Sequence, residues 1–217
     1  MTTTEPEFLT AARTFYDAVA ADYADRYGGA LATATWDRAM LAAFAELVTT
    51  AGGGPVAELG CGPGRITGHL AALGLDVSGL DLSPRMIDLA RAAHPRIPFQ
   101  VGSILDLPYS DGGLAGIVAW YSIIHTPAEQ LPRVFAEFHR TLAPGAPVIL
   151  AFQAGEGALR IEDPFGYPAA LDFRRRQPDH LEALATEAGL KVTTRLVREP
   201  EDGERTPQAY LLARKAA

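Results

Sequence analysis

Residues 56–67, Val-Ala-Glu-Leu-Gly-Cys-Gly-Pro-Gly-Arg-Ile-Thr, constrain this chain more than any other stretch. A short apolar strand ending at Leu59 runs into Gly60, Gly62 and Gly64, and a helix is expected to start near Pro63. Glycine at three of five positions permits left-handed backbone and lets a ligand approach the main chain closely. The helix that follows aims its unpaired N–H groups and positive dipole end at the turn, which suits a carboxylate or a phosphate. A glycine-rich turn with no ligand would use the same residues. A second feature points to a nucleoside. Residues 75–80 read as the next strand and end at Asp81, about 20 residues on, where an acid can accept hydrogen bonds from both ribose hydroxyls.

The spacing narrows the ligand. A dinucleotide site asks for G-x-G-x-x-G, its third glycine allowing close helix–strand packing. Here the run is Gly60-x-Gly62-x-Gly64, Arg65 fills the place of that third glycine, and Glu58 stands two residues before the first. The whole pattern, apolar-x-Glu-x-Gly-x-Gly-x-Gly, resembles the first motif of class I S-adenosylmethionine-dependent methyltransferases, especially their ubiquinone/menaquinone and natural-product subgroup. Specific motifs carry the resemblance over residues 55–155, and pattern alone carries it elsewhere. A nicotinamide-dependent oxidoreductase shares the layout of strand, glycines, helix and acid, with Arg65 against it. A non-catalytic S-adenosylmethionine-binding protein would share all of it.

From residue 56 the chain alternates short apolar runs with helical stretches, the pattern of a parallel sheet covered on both faces. Strands are expected near 56–60, 75–80, 98–102, 115–120 and 147–153, and helices near 63–73, 84–93 and 128–142. Ser83-Pro84 supplies a cap and a proline at the first helical position. A last helix starts at Pro178 and ends at Gly189, and strands over 190–198 and 208–214 close the chain. The fold class is α/β. The resemblance implies a Rossmann-like, seven-stranded, mostly parallel sheet with helices on both faces and its last strand antiparallel. Ahead of it, Phe8, Ala12, Phe15, Val19 and Tyr23 fall at helical spacings, and a second helix over 37–50 stops at Gly52-Gly53-Gly54-Pro55. Residues 1–54 read as an N-terminal helical lid and 55–217 as the cofactor-binding core. Within the core, 153–177 reads as a substrate-side insertion, being longer than the roughly 2–6 residues such connections take.

Ligands in such sheets bind beyond the carboxyl ends of the strands. The resemblance implies that Glu58 and the turn of Gly60, Cys61, Gly62 and Gly64 hold the methionine end of S-adenosylmethionine. Asp81 would hold the ribose, and Leu82 and Met86 would flank the adenine. Cys61 reads as a small filler of the turn rather than a nucleophile. After the third strand family members carry Gly-Asp, whereas this chain has Gly102-Ser103. The Ser103 hydroxyl and the Ile104 N–H are then the adenine contacts, and Asp106 is a substitute acid or a solvated one. Tyr16 and Tyr23 belong to a Tyr-Asp-x-x-Ala-x-x-Tyr segment that in the family helps close over the cofactor. His125 stands where many quinone-type and natural-product methyltransferases also carry histidine, either as a general base or packed beside the cofactor. Tyr121 and Tyr16 follow it as candidate catalytic groups. His69, His94, His139 and His180 read as solvated. The run Arg174-Arg175-Arg176 can hold an anion, though short charge runs more often form a solvated face.

The implied reaction is in-line methyl transfer to an O-, N- or C-nucleophile of a small-molecule acceptor, leaving S-adenosylhomocysteine. Composition trims the partners. Net charge is −7, and an acidic surface with no Asn/Asp-Pro-Pro-Tyr box disfavours nucleic acid. No apolar run approaches the roughly 20 residues of a membrane helix, and the start, Met-Thr-Thr-Thr-Glu-Pro, lacks the features of a signal peptide. One cysteine fits a reducing cytoplasm, no cluster has metal-ligand spacing, and a monomer or homodimer is expected.

Overall fold

The computed structural model describes residues 5–201 and 203–216. Residues 1–4, part of the start read above, lie outside them. Helices α1 (Glu7–Tyr27) and α2 (Thr35–Thr50) precede β1 (Pro55–Leu59). Then come α3 (Arg65–Ala72), β2 (Asp76–Asp81), α4 (Pro84–Ala93) and β3 (Phe99–Val101). The second half holds β4 (Gly116–Trp120), α5 (Leu131–Thr141) and β5 (Pro147–Gln153). A hairpin of β6 (Ala158–Glu162) and β7 (Ala170–Arg174) follows, then α6 (Pro178–Glu187), β8 (Leu190–Arg198) and β9 (Gln208–Lys215).

Seven strands form one sheet in the order β3-β2-β1-β4-β5-β9-β8. β1 runs parallel to β2 and β4, and β4 to β5, while β9 is antiparallel to both β5 and β8. This is the mostly parallel sheet the sequence implied, with its reversed last strand. The chain winds outward from β1 on one side and from β4 on the other, so the switch point lies between them. Side chains alternate along each strand and feed two cores. Ile117 and Ala119 pack with Phe135 and Phe138 of α5 and Leu181 of α6. Val118 and Trp120 face the other way, onto Phe44 of α2 and Ile66 and Leu70 of α3. Phe44 and Phe138 are fully buried, so truncating either to alanine costs about 3–5 kcal/mol.

Three local differences from expectation have physical causes. A single lid over residues 1–54 does not describe the packing, because α2 is part of the sheet's covering layer. Only α1 crosses the carboxyl-end rim, with Phe15 and Val19 against Leu171 and Phe173 of the hairpin. Helix α3 begins at Arg65 rather than Pro63, since Gly64 has φ 84°, outside helical backbone. The connection 153–177 is a two-stranded sheet paired from Ala158↔Arg174 to Glu162↔Ala170, not an open loop. Its β6 is mostly exposed, so Leu159 and Ile161 alone give too short an alternation to mark a strand.

Candidate active site

Gly60, Gly62 and Gly64 all have positive φ, at 77°, 52° and 84°. The turn is tied to the neighbouring strand: the N–H groups of Gly60 and Cys61 both donate to the Leu80 carbonyl, at 2.7 and 3.0 Å. A Cβ on Gly60 would lie 2.3 Å from Cβ of Ser122, so no larger residue fits. A Cβ on Gly62 would meet only open space, and its N–H donates to Asp81 Oδ2 at 2.7 Å. Ser83 N–H donates to Asp81 Oδ1 at 2.8 Å. Burial pushes the Asp81 carboxyl above its ordinary range, while the Ser83 and Gly62 N–H groups pull it back.

These residues face a cavity of about 810 Å³, counted to its open mouth, at the carboxyl ends of β1, β2 and β4. Gly60, Gly62, Asp81, Leu82 and Met86 form one side of its wall. Ser103, Ile104, Tyr121 and His125 continue it, and Tyr16 and Tyr23 of α1 close over the top. Three of the expected residues lie behind the wall. Glu58 is buried beneath the turn, where the Thr67 hydroxyl donates to it and burial pushes its carboxyl up to about 8. Cys61 packs with Ile87, Ala90 and Phe99, a filler as read, and burial raises its thiol far above the ordinary value. Gly64 presses on His94 and Phe99. Direct ligand contact by Glu58 is therefore not what this geometry offers.

Ser103 Oγ accepts the Leu105 N–H at 3.2 Å, so part of its capacity closes its own turn. Asp106 is exposed. Tyr121, at φ 54°, donates its hydroxyl to Gln208 Oε1 at 2.8 Å, toward β9. Burial raises its phenol well above the ordinary range, and it does the same to Tyr16. Of the remaining histidines only His180 is exposed; His69, His94 and His139 are half-buried, with His94 lying over Gly68 and His139 over Gly189.

His125 follows β4 in a one-turn 3₁₀ segment, Ile123–His125, and is buried. Its Nδ1 lies 3.0 Å from the Asp172 carbonyl oxygen and its Nε2 2.8 Å from the Tyr16 hydroxyl. A carbonyl only accepts, so Nδ1 carries the hydrogen, and Nε2 of the neutral ring accepts from Tyr16. Burial pushes the imidazole down to about 4, and the nearby Arg174 and Arg176 push the same way against the Asp172 carbonyl. The ring is neutral at pH 7. The arginine run is not a solvated face: Arg176 is buried, and Arg174 donates to the His125 carbonyl at 3.0 Å.

Sequence reasoning missed Asp17, Trp120, Ser122 and the Asp172 carbonyl. Asp17 of α1 accepts from Ser83 Oγ at 2.6 Å and from Arg85 N–H at 3.2 Å, fastening α1 to the start of α4. No sequence signal marks a carboxylate that caps another helix from 66 residues away. Trp120 and Ser122 line the cavity, and Trp120 Nε1 and Ser122 Oγ are buried without a partner among the described residues.

Residues 56–145 match the family model described as a methyltransferase domain. Over those residues the chain is similar to a methyltransferase domain. A malonyl-[acyl-carrier protein] O-methyltransferase of Erwinia billingiae is 33% identical to it over 108 residues, 50% of this chain and 42% of that one. The match spans less than half of that relative's length. Among solved structures, the DhpI–SAH complex matches at TM-score 0.76 and 22% identity over 98% of this chain and 99% of its own. Magnesium protoporphyrin IX methyltransferase of Synechocystis, solved with bound SAM, matches at TM-score 0.72 and 15% identity over 99% and 100%. Both likenesses are of fold, and both extend over nearly the whole chain, beyond the matched region. Among the described residues no helix is long and apolar enough to cross a membrane, and no cluster of metal-ligating side chains occurs.

Proposed function

We propose that this chain binds S-adenosylmethionine and transfers its methyl group to the hydroxyl of an uncharged small molecule. The observation that carries the reading is one cavity bounded by the glycine turn with Asp81 and by the hydrogen-bonded chain Tyr16–His125–Asp172. The wall fits the cofactor. Buried polar atoms normally find partners, and Trp120 Nε1 and Ser122 Oγ, the latter beside Gly60, have none among the described residues. The charged amino-acid end of the cofactor would satisfy them. Each Asp81 oxygen accepts one N–H and keeps a lone pair for a ribose hydroxyl. Leu82 and Met86 offer apolar surface to the adenine.

Bound S-adenosylmethionine supplies an electrophilic methyl on a positively charged sulfur. The chain's own residues then align the acceptor and keep water out. An attacking hydroxyl must lose its proton, and Tyr16 stands between the cavity and His125 Nε2. Tyr16 takes the acceptor's proton while passing its own to Nε2, and the imidazolium keeps its Nδ1–H on the Asp172 carbonyl. The positive charge lost from sulfur reappears on the imidazole, so the site's net charge is conserved. Among the described residues no lysine or arginine lines the cavity, which supports an uncharged acceptor over an anionic one.

Isothermal titration with S-adenosylhomocysteine, with NADH as control, tests the donor side; micromolar binding of the first alone is expected, and binding of NADH alone overturns it. Transfer of labelled methyl to a panel of phenols and alcohols, beside matched amines and carboxylates, tests the acceptor side. Label confined to carboxylates or amines overturns the proton chain.

A further inference from the structure

We propose that Arg174 and Arg176 are positioning residues for His125, clamping the turn that carries it and fixing which of its ring nitrogens is free to accept a proton. The inference rests on the proposed role of His125. Arg174 Nη1 donates to the His125 carbonyl at 3.0 Å, and its Nη2 reaches Asp172 Oδ2 at 3.1 Å. The Asp172 carbonyl in turn accepts from His125 Nδ1 at 3.0 Å. Both the backbone and the ring of His125 are therefore tied to one residue pair on β7. Arg160 holds the other oxygen of Asp172 from the neighbouring strand, at 3.1 Å.

Arg176 works from beneath. Its Nη2 donates to the carbonyls of Ile123 and Thr126, at the two ends of the same turn. It is 6% exposed, its Nε has no partner, and no carboxylate pairs with it among the described residues. A buried guanidinium without a counter-ion is a poor way to stabilise a fold, since an apolar side chain of similar volume does as well or better. What it supplies here is one Nη2 that bridges the carbonyls at both ends of the turn. One-turn 3₁₀ segments have weak internal hydrogen bonding, so the turn depends on such outside donors.

The clamp also acts electrostatically. The titratable and charged groups facing the imidazole are Tyr16 from α1 and Asp172, Arg174 and Arg176 from β7 and its end. The two cations disfavour imidazolium in the resting site and so keep Nε2 ready to accept. On methyl transfer the acceptor O–H bond breaks, the new O–CH3 bond forms as the S–CH3 bond breaks, and the proton ends on Nε2. The clamp holds Nδ1–H on its carbonyl through that change.

The experiment is heteronuclear NMR of the His125 ring in the full chain, with Arg174→Gln, Arg176→Gln and Arg176→Lys compared with the parent. In the parent the Nδ1–H tautomer is expected, with a midpoint near 4. In Arg174→Gln the midpoint is expected to rise toward the ordinary value of about 6.5, with both tautomers populated. Arg176→Lys should keep the parent tautomer where Arg176→Gln loses it. S-adenosylhomocysteine titration of each variant accompanies the spectra. Retained binding with an unchanged tautomer and midpoint in Arg174→Gln overturns the clamp. A parent that fails to bind S-adenosylhomocysteine overturns the functional reading instead, whatever the ring does. Arg174 is part-exposed, so its variant remains decisive should both Arg176 variants fail to fold.

Discussion

The two sides of the cavity are built in opposite ways. The donor side is a backbone device: its hydrogen bonds join Asp81 to Gly62, 19 residues away, and to Ser83, two residues away. At Asp81 the partners are main-chain N–H groups, which orient its carboxylate. The acceptor side is assembled from side chains on distant segments: Tyr16 meets His125 across 109 positions, and His125 meets Asp172 across 47. A donor site made of one turn is fixed as soon as β1 and β2 pair. An acceptor site made of a lid helix, a single turn and an appended hairpin exists only when all three dock. That difference lets one domain type keep its cofactor while its acceptor end is rebuilt, in line with the rule that fold alone does not supply substrate.

The sharpest way to separate the two sides is to remove the imidazole. His125→Asn should lower turnover by roughly 100-fold or more, the usual contribution of a positioned acid–base group, while S-adenosylhomocysteine affinity stays within about twofold. Loss of both together would mean that the two sides are one unit. The converse change is Gly60→Ala. With φ at 77° and Ser122 Cβ 2.3 Å from the added methyl, the turn must shift, and affinity should fall by at least about tenfold. Asp81→Ala, read by the same titration, should cost about tenfold to a hundredfold, since it removes a charged hydrogen-bond acceptor. Unchanged binding in Asp81→Ala would refute the ribose assignment. Tyr16→Phe is milder: about a tenfold loss of turnover is expected, because Nε2 is freed but no longer bridged to the acceptor.

The same division decides what could be read from the sequence. Strand and helix positions in the sheet were legible because buried strands are continuous apolar runs and the caps are local; Ser83 accepts the Met86 N–H at 3.1 Å, as the Ser-Pro pair implied. The glycine turn and Asp81 were legible for the same reason, their partners lying within one βαβ unit. The burial of Glu58 was not legible, because a motif gives a residue's neighbours in sequence, not the side of the turn on which it lies. The hairpin and the arginines were not legible. Exposed strands carry little periodicity, and Arg176 looks like any surface arginine until the turn of His125 is laid beside it. Tyr16 and His125 could each be named, but nothing in the sequence showed that they touch.

The smallest effect expected is a pH signature that differs between the two sides. Glu58, on the donor side, has its carboxyl raised by burial from an ordinary 4.5 to about 8. The folded state thus holds a proton that the unfolded chain releases, so the stabilising contribution is complete below about 4.5 and is lost as pH rises through 8. His125, on the acceptor side, is lowered from 6.5 to about 4. There the unfolded chain binds the extra proton, so the contribution is complete above about 6.5 and is lost as pH falls through 4. Glu58→Gln removes the first dependence and leaves the second. Its melting temperature should gain on the parent by a few degrees between pH 5 and pH 8.5, roughly the shift that one or two kcal/mol produces in a chain of this size. His125→Asn should gain on the parent only below pH 6. A Glu58→Gln curve parallel to the parent's across pH 5 to 8.5 would mean that the carboxyl ionises without penalty, and that Glu58 is within reach of solvent or of a ligand after all.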